Sequence, residues 1–82
     1  MGKVIGNYWI KDLEKYRWYW MGKSPRVRKA VELYMERHKP KHWNTSPKET
    51  ADAISKEVGC TKNAIYKNLR ALDNSGIIEA IL

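Results

Sequence analysis

Two helix signals separated by a glycine lie in residues 46–72, around the segment 54–69, ISKEVGCTKNAIYKNL. Ser46 and Glu49 have the spacing of a capping box and Pro47 suits the first position of a helix, so a helix is predicted to begin at Pro47. Helical spacing then continues through three apolar residues, Ala51, Ile54 and Val58. Gly59 follows directly. Because only glycine adopts the left-handed conformation of a helix end without strain, the helix is predicted to end there.

A second helix is predicted after Thr61, which is placed to cap it. Its apolar positions fall on one side of a 3.6-residue period: Ala64, Ile65, Leu69 and Leu72. The other side carries hydrogen-bond donors and positive charge but no carboxylate: Asn63, Tyr66, Lys67 and Arg70, with Lys62 at the rim. Two short helices joined by a tight turn are typical of a helix-turn-helix, whose second helix contacts nucleic acid.

The run of residues 46–78 resembles the DNA-binding core of small prokaryotic winged-helix repressors, such as the multiple-antibiotic-resistance and arsenic-repressor classes. The shared features beyond the two helices are the L-x-x-L ending at Leu72, then Gly76 and the apolar pair Ile77 and Ile78. The resemblance implies a trihelical core and a transcriptional regulator, similar to repressors of archaea or archaeal viruses. In two respects the chain departs from the pattern. Ser55 stands where alanine is usual, and so few residues follow Ile78 that the wing is expected to be missing or reduced to one strand.

The composition favours a single small domain with a polyanionic partner, because the chain has 82 residues and a net charge of +7. Its one cysteine, Cys60, has no partner for an internal disulfide. Neither a membrane-spanning apolar run nor a signal peptide is present in the sequence, so a cytoplasmic location is expected. Glutamine is missing and lysine plus arginine is high, which agrees with a thermophilic source.

The chain is not expected to be an enzyme, nor to bind a metal or a cofactor. His38 and His42 are separated by the helix breaker Pro40, and together with Cys60 they make only three candidate ligands, whereas structural zinc normally takes four. Cys60 is expected to be a buried structural thiol. The sequence shows no glycine-rich phosphate loop, serine elbow or close carboxylate pair.

Ahead of this region, Ser24 and Pro25 repeat the cap-plus-proline signal, and Pro40 ends the predicted helix near Lys39. Its apolar stripe is Val27, Ala30, Val31, Tyr34, Met35 and His38. In the family that the chain resembles, this helix packs across the other two. Family members also place a small strand in the connector, here residues 39–45, which would pair with residues 77–82 over two or three residues.

The N-terminal residues 4–22 lie outside the resemblance and allow two structures. A helix capped by Asn7 would align one aromatic-rich stripe, whereas a hairpin would alternate Tyr16, Trp18 and Trp20 with Arg17, Tyr19 and Met21. The charged KDLEK centre favours the helix. Because Trp18 and Tyr19 exceed what one buried stripe needs, a homodimer contact is the leading hypothesis, and removing residues 1–22 would then leave a monomer with weak DNA binding. The alternatives are that the segment completes the core, docks a protein partner or stacks single-stranded bases.

The sequence therefore predicts a mainly α protein. It would have a trihelical helix-turn-helix core, winged-helix-like with a truncated wing, in residues 24–82, and an N-terminal aromatic extension in residues 1–23. The predicted function is sequence-specific binding of double-stranded DNA as a transcriptional regulator, in particular a repressor. The alternatives are a protein-interaction module of a replication or transcription assembly, and RNA binding, for which the chain has no dedicated motif. The predicted DNA contacts are Lys48, Thr61, Lys62, Asn63, Tyr66, Lys67 and Arg70, and the predicted dimer contacts are Trp9, Leu13, Tyr16, Trp18, Tyr19 and Trp20.

Overall fold

The structure, a computed structural model, describes residues 2–38 and 47–81. Within them the chain is mainly helical with one small antiparallel sheet, which confirms the mainly α prediction at this coarse level. The elements in chain order are β1 (Lys3–Ile5), β2 (Tyr8–Ile10), α1 (Leu13–Trp20), α2 (Pro25–Arg37), α3 (Pro47–Val58), α4 (Lys62–Asn74) and β3 (Ile78–Ala80).

Helices α3 and α4 begin and end close to where the capping signals predict. α3 runs from Pro47 to Val58, and Gly59 follows at a φ of +83° with its N–H donating to the Ser55 carbonyl at 2.9 Å. The hydroxyl of Thr61 accepts from the Ala64 N–H at 3.2 Å, so Thr61 caps α4 as predicted. Ser46 lies outside the described residues, and with it the predicted bond of the capping box at that end.

Helix α2 begins at the predicted proline but ends at Arg37, two residues before Lys39. Ser24 occupies the cap position through its backbone only, because its carbonyl accepts from the Arg28 N–H at 3.2 Å while its side chain makes no capping bond. At the other end the ring of His38 stacks on the ring of Tyr34, with 5.0 Å between centroids. The buried stripe of α2 is Ala30, Val31, Tyr34 and Met35.

Neither structure predicted for residues 4–22 is correct as stated. The chain forms a hairpin over Lys3–Ile10, earlier than the predicted hairpin, and then the short helix α1, which is capped by Asp12 rather than Asn7. The hairpin turn consists of Gly6 and Asn7, with Gly6 at a φ of +55°. Glycine is the residue favoured at the first position of such a two-residue turn. A Cβ on Gly6 would also overlap the Cα of Glu36, so the turn lies directly against the backbone of α2.

Asn7 joins the hairpin to the C-terminal end of α2. Its N–H donates to the Met35 carbonyl at 3.1 Å, and its side-chain amide donates to the His38 carbonyl at 3.0 Å and the Glu36 carbonyl at 3.4 Å. Its own carbonyl accepts from the Ile81 N–H at 2.9 Å. Asn7 therefore satisfies carbonyl groups that a helix end leaves without partners, which is a different role from the predicted N-cap.

The sheet has the order β1, β2, β3, with both pairs antiparallel. β3 follows α4 as the resemblance implies, but its partner is β2, with Ile10 opposite Ile78 and Trp9 opposite Glu79. The connector strand that was predicted to pair with β3 lies in residues 39–45, outside the described part of the chain. Within that part, the strand beside β3 comes from the N-terminus.

One hydrophobic core includes side chains from every helix and from strands β2 and β3. Its largest members include Tyr8, Ile10, Tyr16 and Trp20 from the N-terminal segment, packed with Ile54, Ile65 and Leu72 of the later helices. The predicted division at residue 23 therefore does not separate two packing units, because residues on both sides of it share the same core.

Candidate nucleic-acid interface

Helix α4 presents a polar ridge on the side opposite the core. Ile65 and Leu72 are fully buried, and half a turn away around the helix lie four exposed side chains. We call these the α4 ridge: Asn63, Lys67, Arg70 and Asn74. The first three were predicted from the helical period. Asn74 was missed, although its spacing of four residues from Arg70 and seven from Lys67 places it on the same face.

Hydrogen bonds stabilise helix α4, which carries the ridge, at both ends and along one side. Thr61 caps the first turn, and the Ser75 N–H donates to the Ala71 carbonyl at 3.1 Å in the last turn. On the flank, the Asn68 amide donates to the Ala64 carbonyl at 2.7 Å and its oxygen accepts from the Tyr19 hydroxyl at 2.6 Å. The Tyr19–Asn68 bond ties α4 to α1, and the other bonds stabilise α4 itself, so both kinds of contact hold the ridge in place.

Tyr66 is half-buried and forms a wall rather than a protruding contact. Its ring packs edge-on against Tyr34, with 6.1 Å between centroids and 80° between planes. With Arg70 it lines two shallow depressions, one of about 280 Å³ that includes Tyr8 and Asp73, and one of about 530 Å³ that includes the α4 ridge. Part of Tyr66 is therefore accessible to a ligand that lies along the ridge.

Three lysines surround one carboxylate where α3 faces the start of α4. Lys62 Nζ lies 2.9 Å from Asp52 Oδ1, and this hydrogen bond is the main cause that lowers the pKa of Asp52. The charges of Lys48 and Lys56, one helical turn to either side on α3, lower that pKa further. We call Lys48, Lys56 and Lys62 the lysine cluster.

The lysine cluster refines the predicted site in two ways. Lys48 is exposed near the beginning of α3 as predicted, whereas Lys62 is engaged by Asp52. Lys56 was missed because an exposed lysine on a helix does not by itself indicate a binding site. Only the structure shows that its charge acts on Asp52 together with that of Lys62. The cluster keeps a local excess of positive charge beside the first turn of α4.

The opposite flank of α4, towards the sheet, carries carboxylates as well as cations. Asp73 shares a depression with Tyr8, and its charge adds to burial in raising the pKa of the Tyr8 hydroxyl. Glu79 on β3 is 3.5 Å from Lys11 in an exposed ion pair. Arg70 lines the same depression as Asp73, so this flank has mixed charge, whereas three lysines surround a single carboxylate on the flank towards α3.

The aromatic residues predicted as dimer contacts divide into two groups. Tyr16 and Trp20 are 2% and 4% exposed and belong to the core of the same chain, so they are not available to a second copy. Leu13 and Tyr19 are half-buried against that core. Trp18 and Trp9 are 66% and 42% exposed, and Trp9 lies opposite the exposed Val4 across the β1–β2 pair.

None of the helices in the described residues combines the length and the apolar character needed to span a membrane. Among residues 2–38 and 47–81, no three His, Cys, Asp or Glu side chains lie close enough together to bind a metal ion. His42 lies outside these ranges. Cys60 is half-buried, and burial raises the pKa of its thiol.

No protein-family model, curated protein or solved structure matches the chain.

Proposed function

We propose that the chain is a winged-helix-like DNA-binding protein that places α4 in the major groove of double-stranded DNA and acts as a transcriptional regulator, in particular a repressor. The observation that carries the proposal is the α4 ridge, a carboxylate-free row of amide and cationic side chains directly opposite the core face of a well-capped helix. Such a row matches the donors and acceptors on base edges, and its cations match the phosphates.

The architecture supports this proposal. α3, the turn at residues 59–61 and α4 form the helix-turn-helix, and α2 supplies the third helix through its buried stripe. β3 follows α4 where a wing would begin, but it is a single strand that pairs with the N-terminal hairpin. In this proposal β3 is the reduced wing, and the N-terminal hairpin supplies the rest of the sheet beside the three helices.

Different contacts are assigned to the two parts of the site. Arg70 and Asn63 face base edges, since arginine suits guanine and asparagine suits adenine, and Lys67 faces phosphates or bases beside them. The lysine cluster and Thr61 face the phosphate backbone near the start of α4. Lys62 can exchange Asp52 for a phosphate at little cost, because ion pairs in contact with solvent are weak.

Duplex binding is expected to weaken steeply with salt. Each phosphate neutralised by a cation releases condensed counterions, so log affinity plotted against log salt should fall with a slope of about −0.9 per contact. With roughly four to six contacts per protomer, each protomer should contribute about −3.6 to −5.4 to the slope. Fluorescence anisotropy of a labelled duplex across a salt series measures it. A flat plot, or no binding at low salt, would contradict the proposal.

A repressor of this size is also proposed to act as a homodimer. One recognition helix covers only a few base pairs, and a two-fold pair reading two half-sites gives the discrimination that one helix lacks. The exposed Trp9 and Val4 on the sheet and Trp18 on α1 are the apolar surface offered for this contact. Half-sites about one helical turn apart would then form a palindrome.

The double substitution Trp9→Ser and Trp18→Ser is expected to convert the dimer to a monomer, because it removes the apolar side chains of the proposed contact. The fold should be unaffected, since both rings are exposed and contribute little to the core. Light scattering at high micromolar concentration measures the change, with Lys15→Ser on α1 as the control that leaves the dimer intact. A monomeric intact protein would contradict the dimer and favour the alternative, in which these rings dock a different protein of a replication or transcription assembly.

A further inference from the structure

A second groove lies between α2 and α3, apart from the α4 ridge. It encloses about 440 Å³, within the range of ligand-binding clefts, and its lining includes Arg26, Lys29, Leu33, Arg37, Glu57 and Val58. Neither the proposed DNA contacts nor the dimer contacts use any of these residues. The groove is therefore a surface distinct from both proposed contacts.

The groove and the lysine cluster lie on different flanks of α3. Asp52 points to α4 through its bond with Lys62, whereas Glu57 points to α2 through its bond with Arg37 at 2.7 Å. Five residues separate the two carboxylates, which places them roughly 140° apart around the helix. A ligand in the groove would leave the lysine cluster and the ridge exposed.

The charges of the groove favour an acidic ligand. Arg26 and Lys29 are exposed, and within the described residues neither makes an ion pair. Arg37 donates to Glu57, the one carboxylate of the lining, through both terminal guanidinium nitrogens at 2.7 and 3.5 Å, in an exposed pair that leaves the other face of Arg37 accessible. Three cations against one carboxylate leave a net positive wall.

The floor and the length of the groove define the ligand further. Leu33 and Val58 are half-buried and place an apolar floor between Lys29 and Arg37. Arg26 and Arg37 are eleven positions apart on α2, which spans about 16 Å at the rise of an α-helix. A small carboxylate would reach one end only. A phosphate backbone would gain nothing from the apolar floor.

We propose that the α2–α3 groove binds a short acidic segment of a partner protein that carries an apolar side chain at its centre. The apolar side chain packs on Leu33 and Val58. Carboxylates on either side pair with Arg26 and Lys29 at one end and with Arg37 at the other. This site goes beyond the proposed DNA binding and does not depend on it.

The probe is a fluorescein-labelled peptide, Glu-Asp-Glu-Leu-Leu-Glu-Asp-Glu, and a second peptide in which Ser replaces both leucines. Anisotropy measures affinity, and amide NMR shifts locate the site. The test variant carries Arg26→Glu and Lys29→Glu, which lie in the first turns of α2, where acidic residues suit the helix dipole. The matched control carries Lys15→Glu and Arg17→Glu, two exposed positions of α1 away from the groove, with the same change in net charge.

The leucine peptide is expected to bind saturably and to shift amide signals of residues 26–33 and 57–60. The test variant should bind the leucine peptide about tenfold more weakly, because its new carboxylates face those of the peptide directly. The control should bind less than about twofold more weakly, because it changes only the net charge of the protein. The serine peptide should also bind about tenfold more weakly, since it lacks the apolar anchor. The test and control variants should bind duplex DNA alike.

The proposal is overturned by an absence of peptide binding, by equal losses in the two variants, or by equal affinity for the two peptides. It is also overturned if duplex DNA shifts the same amides, because the groove would then belong to the nucleic-acid footprint. The peptide assay contains no DNA, so the groove proposal can hold even if the protein does not bind DNA. Likewise, DNA binding can be observed even if the peptide does not bind.

Discussion

Deletion of residues 1–22 is expected to abolish the folded state instead of leaving the folded monomer that the sequence predicts. The segment supplies Tyr8, Tyr16 and Trp20 to the core, and each large ring contributes roughly 4 to 6 kcal/mol on burial. Three rings therefore match or exceed the roughly 5 to 15 kcal/mol by which small domains are stable. The deletion also leaves β3 without β2 and the end of α2 without Asn7.

Near-ultraviolet circular dichroism and thermal unfolding measure this outcome. The truncated chain should show no cooperative transition, whereas full-length protein with Trp18→Ser and Met21→Ser should keep one, because both side chains are about two-thirds exposed. A cooperative transition in residues 23–82 alone would show that the later helices form a core of their own and would contradict this expectation.

Reversing two charges on the α4 ridge is expected to reduce the affinity for duplex DNA about 100-fold at low salt. Lys67→Glu and Arg70→Glu place carboxylates where the proposal has cations facing phosphates and bases, and repulsion then replaces attraction. Both side chains are exposed, so the fold should be unaffected. Gel-shift titration measures the loss, and Lys15→Glu with Arg17→Glu is the control of equal charge, expected to lose only about threefold.

Single substitutions then distinguish sequence-specific contacts with bases from non-specific binding to DNA. Arg70→Ala or Asn63→Ala should cost about 1 to 3 kcal/mol on a site selected from a random duplex library, and much less on random DNA. Lys67→Ala should weaken both more evenly, and Lys15→Ala, at an exposed position of α1, should act only through net charge. Arg28 is not a suitable control, because it bonds Glu32 and packs over the ring of the buried Tyr16. Equal losses in all cases on both kinds of DNA would mean that the protein binds without reading sequence.

The capping signals predicted α3 and α4 well because they act within a few residues. Pro47, Gly59 and Thr61 each favour one backbone conformation through local sterics or a hydrogen bond three residues away, and the structure has each in that role. The same local period placed Asn63, Lys67 and Arg70 on the side of α4 away from the core. These residues needed no knowledge of the rest of the chain.

The N-terminal segment was mispredicted because its local signals are ambiguous. Asn7 can begin a helix or follow glycine in a hairpin turn, and the choice was decided by carbonyl groups of α2 that lie 29 and 31 residues away in the chain. Tyr16 was assigned to a partner, yet its hydroxyl donates to Glu32 at 2.7 Å and its ring is buried. Likewise, a pattern of aromatics does not reveal which surface covers them.

The sequence by itself determined the two helices of the proposed helix-turn-helix, their turn, and the polar face of α4, because helix caps and helical periodicity are properties of neighbouring residues. Only the tertiary structure decided that β3 pairs with β2, that Tyr16 and Trp20 belong to the core, and that Lys56 and Lys62 gather around Asp52. Strand pairing and burial depend on which distant surfaces meet. Those contacts form only when the whole chain folds, since no short segment contains both partners.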